Sequence, residues 1–343
     1  MIYLPIVILA LYLIIDTYLL RKARKNIKLV IHVNGTRGKS SVVRMLDEVF
    51  RQNGYRTFSK VTGTLPMYRD CNGNEHHINR NAVTILEQKT ILKRAAKDLA
   101  EVLIIECMAL KDTVQEHSEH ILKADIAVIT NVRTDHLEIM GTSKDEIART
   151  MFKMTSKKQT IIVGDCYLKE LYPDSDIICA DHNHTLENEI KENTNIVLEI
   201  VQQLGLDVEK SITAIQLSKK DVGSKRVIEY QSNEILFGFS MNDLETTNEF
   251  YKTYKPNGKQ IIWFNDRKDR PMRSLIFLNW LIEVSPDEII LSGDRVTYNK
   301  SYLKKEGFTG KVFNISSYQG NNQLILGIGN MKGLDYLLGE VHV

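Results

Sequence analysis

An α/β fold of two domains behind one N-terminal transmembrane helix is what this 343-residue sequence predicts. Three observations carry the expectation. Residues 2–20 are almost wholly apolar, a glycine-rich loop directly follows a strand-like run at 28–33, and β-branched runs then alternate with helically spaced ones.

The apolar run 2–20 is broken only by Pro5, Asp16 and Thr17, and it has close to the ~20 residues that cross a bilayer. The cluster Arg21-Lys22-Ala23-Arg24-Lys25 follows at once. Charges after the apolar core, rather than before it, mark an uncleaved anchor with its basic end in the cytoplasm. The expected location is therefore the cell membrane, single-pass, with everything after residue 25 cytoplasmic. Asp16 needs depth relief or a partner in such a segment, so a helix buried against the protein body is the alternative.

The loop Val33-Asn34-Gly35-Thr36-Arg37-Gly38-Lys39-Ser40-Ser41 is a phosphate-binding loop in the order strand, glycine turn, helix. Gly35 and Gly38 let backbone N–H groups turn around an anion, and the helix starting near Ser40 adds unpaired donors and the positive end of its dipole. Lys39 is placed to reach β- and γ-phosphates, and Ser40 to put a hydroxyl on magnesium. Val33 stands where the full Walker pattern has its first glycine, so the loop is a shortened one. Val42, Val43, Leu46, Val49 and Phe50 give the following helix, 40–54, one apolar face.

Further strand-like runs at 102–105, 126–130 and 160–163 are separated by helical patterns around 82–100 and 143–154, the pattern of a parallel sheet covered by helices. Ligands gather at the carboxyl ends of such strands. Glu106 closes one of them, and Asn131-Val132-Arg133-Thr134-Asp135-His136 follows another. A helical pair at 194–205 and 207–218 leads into the polar stretch 219–225. The boundary is placed there, giving an anchor and basic flank over 1–25, an ATP-binding domain over 26–222 and a smaller α/β domain of Rossmann type over 223–343. The last has strand patterns at 234–238, 260–264, 288–291, 311–313 and 324–326, with helices near 244–254 and 273–284.

With 45 basic and 43 acidic residues the net charge is +2, much of it from the juxtamembrane cluster, which makes no case for nucleic acid. Cys71, Cys107, Cys166 and Cys179 are scattered and read as reduced thiols of a cytosolic domain. Neither Cys71 with His76 and His77 nor His182 with His184 has convincing metal-ligand spacing.

Residues 34–40, Lys60-Val61-Thr62-Gly63-Thr64, Glu87-Gln88-Lys89, Glu106-Cys107-Met108-Ala109, Thr130-Asn131 with Asp135-His136, Met140-Gly141, Asn242-Asp243 and Gly327-Ile328-Gly329-Asn330 resemble the Mur ligase superfamily. Within it, they and the N-terminal anchor resemble the CapB/PgsB family of poly-γ-glutamate synthase subunits. The resemblance implies ATP and Mg²⁺ as cofactors, glutamate and a growing poly-γ-glutamate chain as substrates, and a hydrophobic membrane subunit of the CapC/PgsC kind, with further synthase subunits, as partners. Asn34, Gly35, Thr36, Arg37, Gly38, Lys39, Ser40 and Ser41 would hold the nucleotide, joined by Arg226 from the linker and by Asn242 and Asp243. Ser40, Thr64, Glu106 and His136 would serve the metal, and Lys39, Glu106, His136 and Arg226 the chemistry. Asn265, Arg267, Asp269 and Arg270 at a later strand end are further contacts for substrate or nucleotide. Many Mur ligases support the metal with a carbamylated lysine; Lys153 lies about one helical turn from that place.

The chemistry implied is activation of a carboxylate by ATP and attack of an amine on the resulting acyl phosphate, giving an amide. Two other readings share part of the pattern. A membrane-tethered P-loop NTPase switch needs only the loop and a carboxylate such as Glu106, and a folylpolyglutamate-type ligase needs the same site without the anchor.

Overall fold

The computed structural model describes residues 3–338 except 64–65, 80–83, 136, 181–188, 219–226 and 242; of residues 3, 189–191, 335 and 338 only the backbone is described. Thr64, His136, Arg226 and Asn242 therefore lie outside the described residues. The chain divides into two compact units: Met1–Val132 with Lys144–Lys220, and Arg133–Ser143 with Asp221–Val343.

In the first unit a long helix α1 (Tyr3–Lys25) leads into β1 (Leu29–Asn34), α2 (Lys39–Gln52) and β2 (Thr57–Val61). A hairpin β3 (Met67–Arg69) and β4 (Glu75–His77) follows, then α3 (Leu86–Lys97), β5 (Val102–Glu106), α4 (Asp112–Leu122) and β6 (Ile126–Ile129). The short α5 (Leu137–Met140) falls in the second unit; the first resumes with α6 (Lys144–Phe152), β7 (Thr160–Val163), α7 (Tyr167–Leu171), β8 (Ile177–Cys179), α8 (Glu189–Gln203) and α9 (Val208–Leu217). The sheet order is β4-β3-β2-β5-β1-β6-β7-β8, parallel from β2 to β8 and antiparallel through the hairpin.

Both faces of this sheet are covered, which is why its central strands are continuous apolar runs. Ile31, Val33, Val102 and Ile104 point into one core with Val42, Val43, Leu46, Val49 and Phe50 of α2 and Ile196, Val197 and Ile200 of α8. Val30, Leu103 and Ile105 point into the other with Ile91, Leu92 and Ala95 of α3, Leu122 of α4 and Ala23 of α1. Each fully buried aliphatic or aromatic side chain contributes about 1.5–3 kcal/mol.

The second unit carries β9 (Val227–Tyr230), β10 (Asn233–Phe237), α10 (Leu244–Tyr254), β11 (Ile261–Asp266), α11 (Pro271–Val284), β12 (Glu288–Gly293), α12 (Val296–Lys305), β13 (Lys311–Asn314) and β14 (Leu324–Gly329). Its order is β13-β12-β11-β14-β10-β9, parallel except for β9. Phe264, Phe277, Leu278, Leu281, Leu291 and Ile328 fill one core, and Phe237, Phe239, Trp263 and Ile290 the other.

Several elements had no expectation from sequence: β2, the β3–β4 hairpin, α4, α7, β8, β9 and α12. The cysteines also differ from the expectation of reduced thiols. Cys166 and Cys179 form a disulfide with Cα atoms 5.4 Å apart, and Cys71 and Cys107 are free. The parallel pairing of β7 with β8 brings Cys179 opposite Val163, three residues before Cys166, a closeness that spacing in sequence does not reveal.

Candidate active site

Everything at the phosphate loop follows from β1 ending at Asn34 and the chain reversing within four residues to start α2. Gly35 has φ 132° and Gly38 φ 78°, values that side chains rarely adopt. Space is as restrictive as torsion: a Cβ on Gly35 would lie 2.0 Å from Thr130 Oγ1, and one on Gly38 would lie 2.2 Å from Asn193 Oδ1.

The loop is held from the end of β6. Asn131 accepts from Thr36 N through its carbonyl at 3.1 Å and from Arg37 N through Oδ1 at 2.9 Å, while Thr130 Oγ1 donates to the Arg37 carbonyl. From below, Asn34 Oδ1 accepts from Gly35 N at 2.8 Å, and its amide donates to Gln115 Oε1 at 3.0 Å. Gln115 is itself fixed by the Ala109 carbonyl at 2.8 Å. Cys107 donates its thiol to the same Gln115 oxygen at 3.3 Å, and burial pushes that thiol up to about 11, so it stays protonated.

Lys39 folds back over the loop and donates to the carbonyls of Gly35 at 2.6 Å and Thr36 at 3.3 Å. Ser40, in the first turn of α2, donates Oγ to Glu106 Oε2 at 2.9 Å, and the same oxygen accepts from Thr62 N at 2.7 Å. Glu106 is buried at the end of β5. A hydroxyl and a carboxylate at a helix N-terminus are oxygen donors of the kind Mg²⁺ prefers, with waters completing its shell. The described residues therefore fit a phosphate-bound magnesium. Among them, no cluster of three or more His, Cys, Asp or Glu forms a metal centre by itself.

Two anchors of the resemblance meet where sequence gave no reason to pair them. Lys60 of β2, wholly buried, is 2.7 Å from Glu87 of α3. His32 of β1 shares this side of the sheet and bonds through Nε2 to Ser118 Oγ at 3.2 Å. Burial first, and the Lys60 charge second, push His32 down to about 3. Lys153 lies on the surface and pairs with Glu116 at 3.1 Å.

The second unit has a small concavity lined by Asp135, Glu138, Asp243, Arg270, Arg273 and Phe277 among others. Asp135 lies 3.9 Å from Arg273, and Asp243 is the N-cap of α10, accepting from Thr246 N at 2.8 Å. At the end of β11, Asn265 and Asp266 are buried: Asn265 is tied to Ser292, and Asp266 to Arg295, Asn299 and Ser274. Arg267 pairs with Asp269 at 2.6 Å. Of the residues expected at the site, the structure thus brings together Asn34 to Ser41 with Glu106, while Asp135 and Asp243 belong to the second unit. Asn131, Gln115 and Asn193 complete the loop's surroundings without having been picked out as site residues. Only Asn131 carried a signal, as a polar residue just past a strand.

The family profile of the Mur ligase middle domain matches residues 33–172, and that of the poly-γ-glutamate synthase CapB C-terminal domain matches 224–341. The chain belongs to the CapB branch of the Mur ligase superfamily. PGA synthase CapB of Bacillus subtilis (strain 168) is 27% identical, over 99% of this chain and 98% of that one. Among solved structures, E. coli FolC in complex with DHPP and ADP superimposes with a TM-score of 0.66 at 17% identity, covering 94% of this chain and 92% of that one. The folylpolyglutamate synthase/dihydrofolate synthase of Yersinia pestis, complexed with AMPPNP and Mn ion, has a TM-score of 0.66 at 13% identity, over 94% and 91%. The structural likenesses show the Mur ligase fold, and the two family profiles with the CapB relative carry the superfamily of ATP-dependent amide-bond ligases.

Proposed function

We propose that this chain is an ATP-dependent acid–amino-acid ligase that extends poly-γ-glutamate at the cytoplasmic face of the cell membrane. The observation that carries the reading is the Lys39–Ser40–Glu106 cluster at the start of α2, in a chain matched end to end by a CapB relative.

The N–H groups of the loop and the first turn of α2 hold the phosphates of ATP. Lys39 exchanges the carbonyls of Gly35 and Thr36 for phosphate oxygens, so that its ammonium meets anionic acceptors in place of neutral ones. Ser40 and Glu106 would hold Mg²⁺, joined by Thr64 and His136, which the family pattern adds. When bound, the ion would supply positive charge against the charge that develops as the γ-phosphoryl passes to a carboxylate oxygen. ADP is the leaving group of that step. The glutamate amine then attacks the acyl carbon, phosphate departs, an amide bond forms, and the ammonium proton passes to solvent. Arg226, Asn242 and Asp243 are the proposed nucleotide contacts from the second domain, 223–343.

The anchor reading is supported by α1. From Leu4 to Ile15 its apolar side chains are about half exposed on every face, and its last turn is basic with Lys22, Arg24 and Lys25. A small, very hydrophobic subunit of the CapC/PgsC kind is the proposed partner in the membrane.

The test is product formation by the full chain with its membrane partner. ADP and phosphate should appear only with glutamate, hydroxylamine should trap an acyl phosphate, and Lys39→Ala should abolish both. Glutamate-independent hydrolysis with no trapped hydroxamate would favour an NTPase switch, and folate acting as the acceptor would favour the folylpolyglutamate reading.

A further inference from the structure

The acid in the apolar helix has partners, and they lie on the ATP-binding unit. Asp16 pairs with Lys89 at 3.2 Å and also with Lys93, two lysines one turn apart on α3, and its side chain is only 18% exposed. One turn further on, Leu20 packs into the core that α3 shares with the sheet, and Ala23 is buried there. At the far end Arg24 donates to the carbonyls of Leu122 and Lys123 and pairs with Asp125 at 2.7 Å. The second half of α1 is therefore fastened along its length, not tethered by a flexible linker.

These contacts fix a direction. The start of α3 lies at the carboxyl ends of the strands, because Glu87 pairs with Lys60, the last residue but one of β2. Asp125, which immediately precedes β6, lies at the amino ends. From Asp16 to Arg24, about 12 Å of helix, α1 thus runs from the carboxyl-end edge of the sheet to the amino-end edge. Residues before Asp16 extend beyond the carboxyl-end edge, which is also the edge of Gly35 to Lys39 and Glu106.

The exposure of the helix before Asp16 adds a second constraint. Leu4, Ile6, Val7, Ile8, Leu9, Leu11, Leu13 and Ile14 are each 52–66% exposed, and at 100° per residue they cover the whole circumference. A single protein groove covers one face; only surrounding hydrocarbon covers all of them.

We infer that Asp16, Lys89 and Lys93 form an ionic lock at headgroup level that turns the phosphate-binding edge of the first unit toward the bilayer, the partner of this edge being a lipid surface. The inference rests on the anchor reading and goes beyond it, since a flexible anchor would leave the orientation open.

The test uses the full chain in phosphatidylcholine–phosphatidylglycerol vesicles whose headgroups carry a nitroxide quencher. A fluorophore is attached at Thr90→Cys, on the exposed face of α3 beside the lock, or at Lys97→Cys, about 10 Å nearer the amino-end edge. The Thr90 position should be quenched several-fold more strongly than the Lys97 position. Asp16→Lys should abolish the difference while the protein still sediments with vesicles, and Asp16→Lys/Lys89→Asp/Lys93→Asp should restore it. Equal quenching at the two positions in vesicle-bound parent protein, or a difference that survives Asp16→Lys, overturns the lock but leaves the anchor standing. Failure to sediment with vesicles at all overturns both.

Discussion

Lys60 Nζ lies 2.7 Å from Glu87 Oε1 with the lysine wholly buried and the glutamate 11% exposed, one ion pair between β2 and α3 inside the ATP-binding unit. Removing one partner strands the other's charge away from water, which costs about 3–5 kcal/mol, whereas replacing both by apolar groups of similar volume is often neutral. Lys60→Met and Glu87→Leu should each lower the urea midpoint strongly, and the double variant should recover most of the loss. A double variant as unstable as the sum of the singles would show that the two residues act separately.

His32 makes stability depend on pH. Its folded value, pushed down to about 3 by burial and by Lys60, is below the ordinary 6.5 of the unfolded chain. Above 6.5 both states hold a neutral imidazole and the group contributes no slope. Between about 6.5 and 3 the unfolded state binds a proton that the folded state refuses, so stability falls as pH falls, by about 1.4 kcal/mol per pH unit at most. Urea midpoints measured from pH 7.5 to 5 should decline, and His32→Gln should flatten that part of the decline. An unchanged slope would mean that other groups carry it.

Gly38 is constrained twice, by a φ of 78° and by Asn193 Oδ1 standing 2.2 Å from where a Cβ would be. The torsion alone costs an alanine about 1–2 kcal/mol. Gly38→Ala should therefore weaken ADP binding at least about tenfold, a loss of about 1.4 kcal/mol. Gly38→Ala/Asn193→Ala should recover the part owed to collision and not the part owed to torsion. Titration calorimetry with ADP on the parent and the two variants separates the two contributions.

The loop was legible in the sequence because its requirements are local: glycines for the turn, a lysine and a serine at fixed offsets, and an apolar helix face behind them. Glu106 was legible because a strand ends on it. What was not legible is what packs from a distance. Gln115 and Asn193 reach the loop from α4 and α8, and nothing in their own neighbourhoods marks them. Lys60 and Glu87 stood in two separate motifs of the resemblance, and only the fold buries them together. The short strands β4 and β8 are the two edges of their sheet and β3 lies next to β4, and runs of three residues carry little periodic signal. Asp16 was recognised as needing a partner, but only the docking of α1 on α3 supplies Lys89 and Lys93.

Ser40 and Glu106 give the sharpest test of the site. Glu106 Oε2 accepts from both Ser40 Oγ and Thr62 N, so the carboxylate ties the start of α2 to the turn after β2 while offering charge to a cation. Glu106→Gln keeps an oxygen for Thr62 N and removes the charge, so the fold should survive while glutamate-dependent phosphate release falls about 10²–10³-fold. The Mg²⁺ concentration giving half-maximal rate should rise about 10–100-fold in the same variant, the scale seen when a metal site loses one of its supports. Ser40→Ala should shift the metal requirement in the same direction by less, because it removes a neutral donor. A Glu106→Gln enzyme with the parent's metal requirement would remove Glu106 from the metal site and leave it as a brace between α2 and β2.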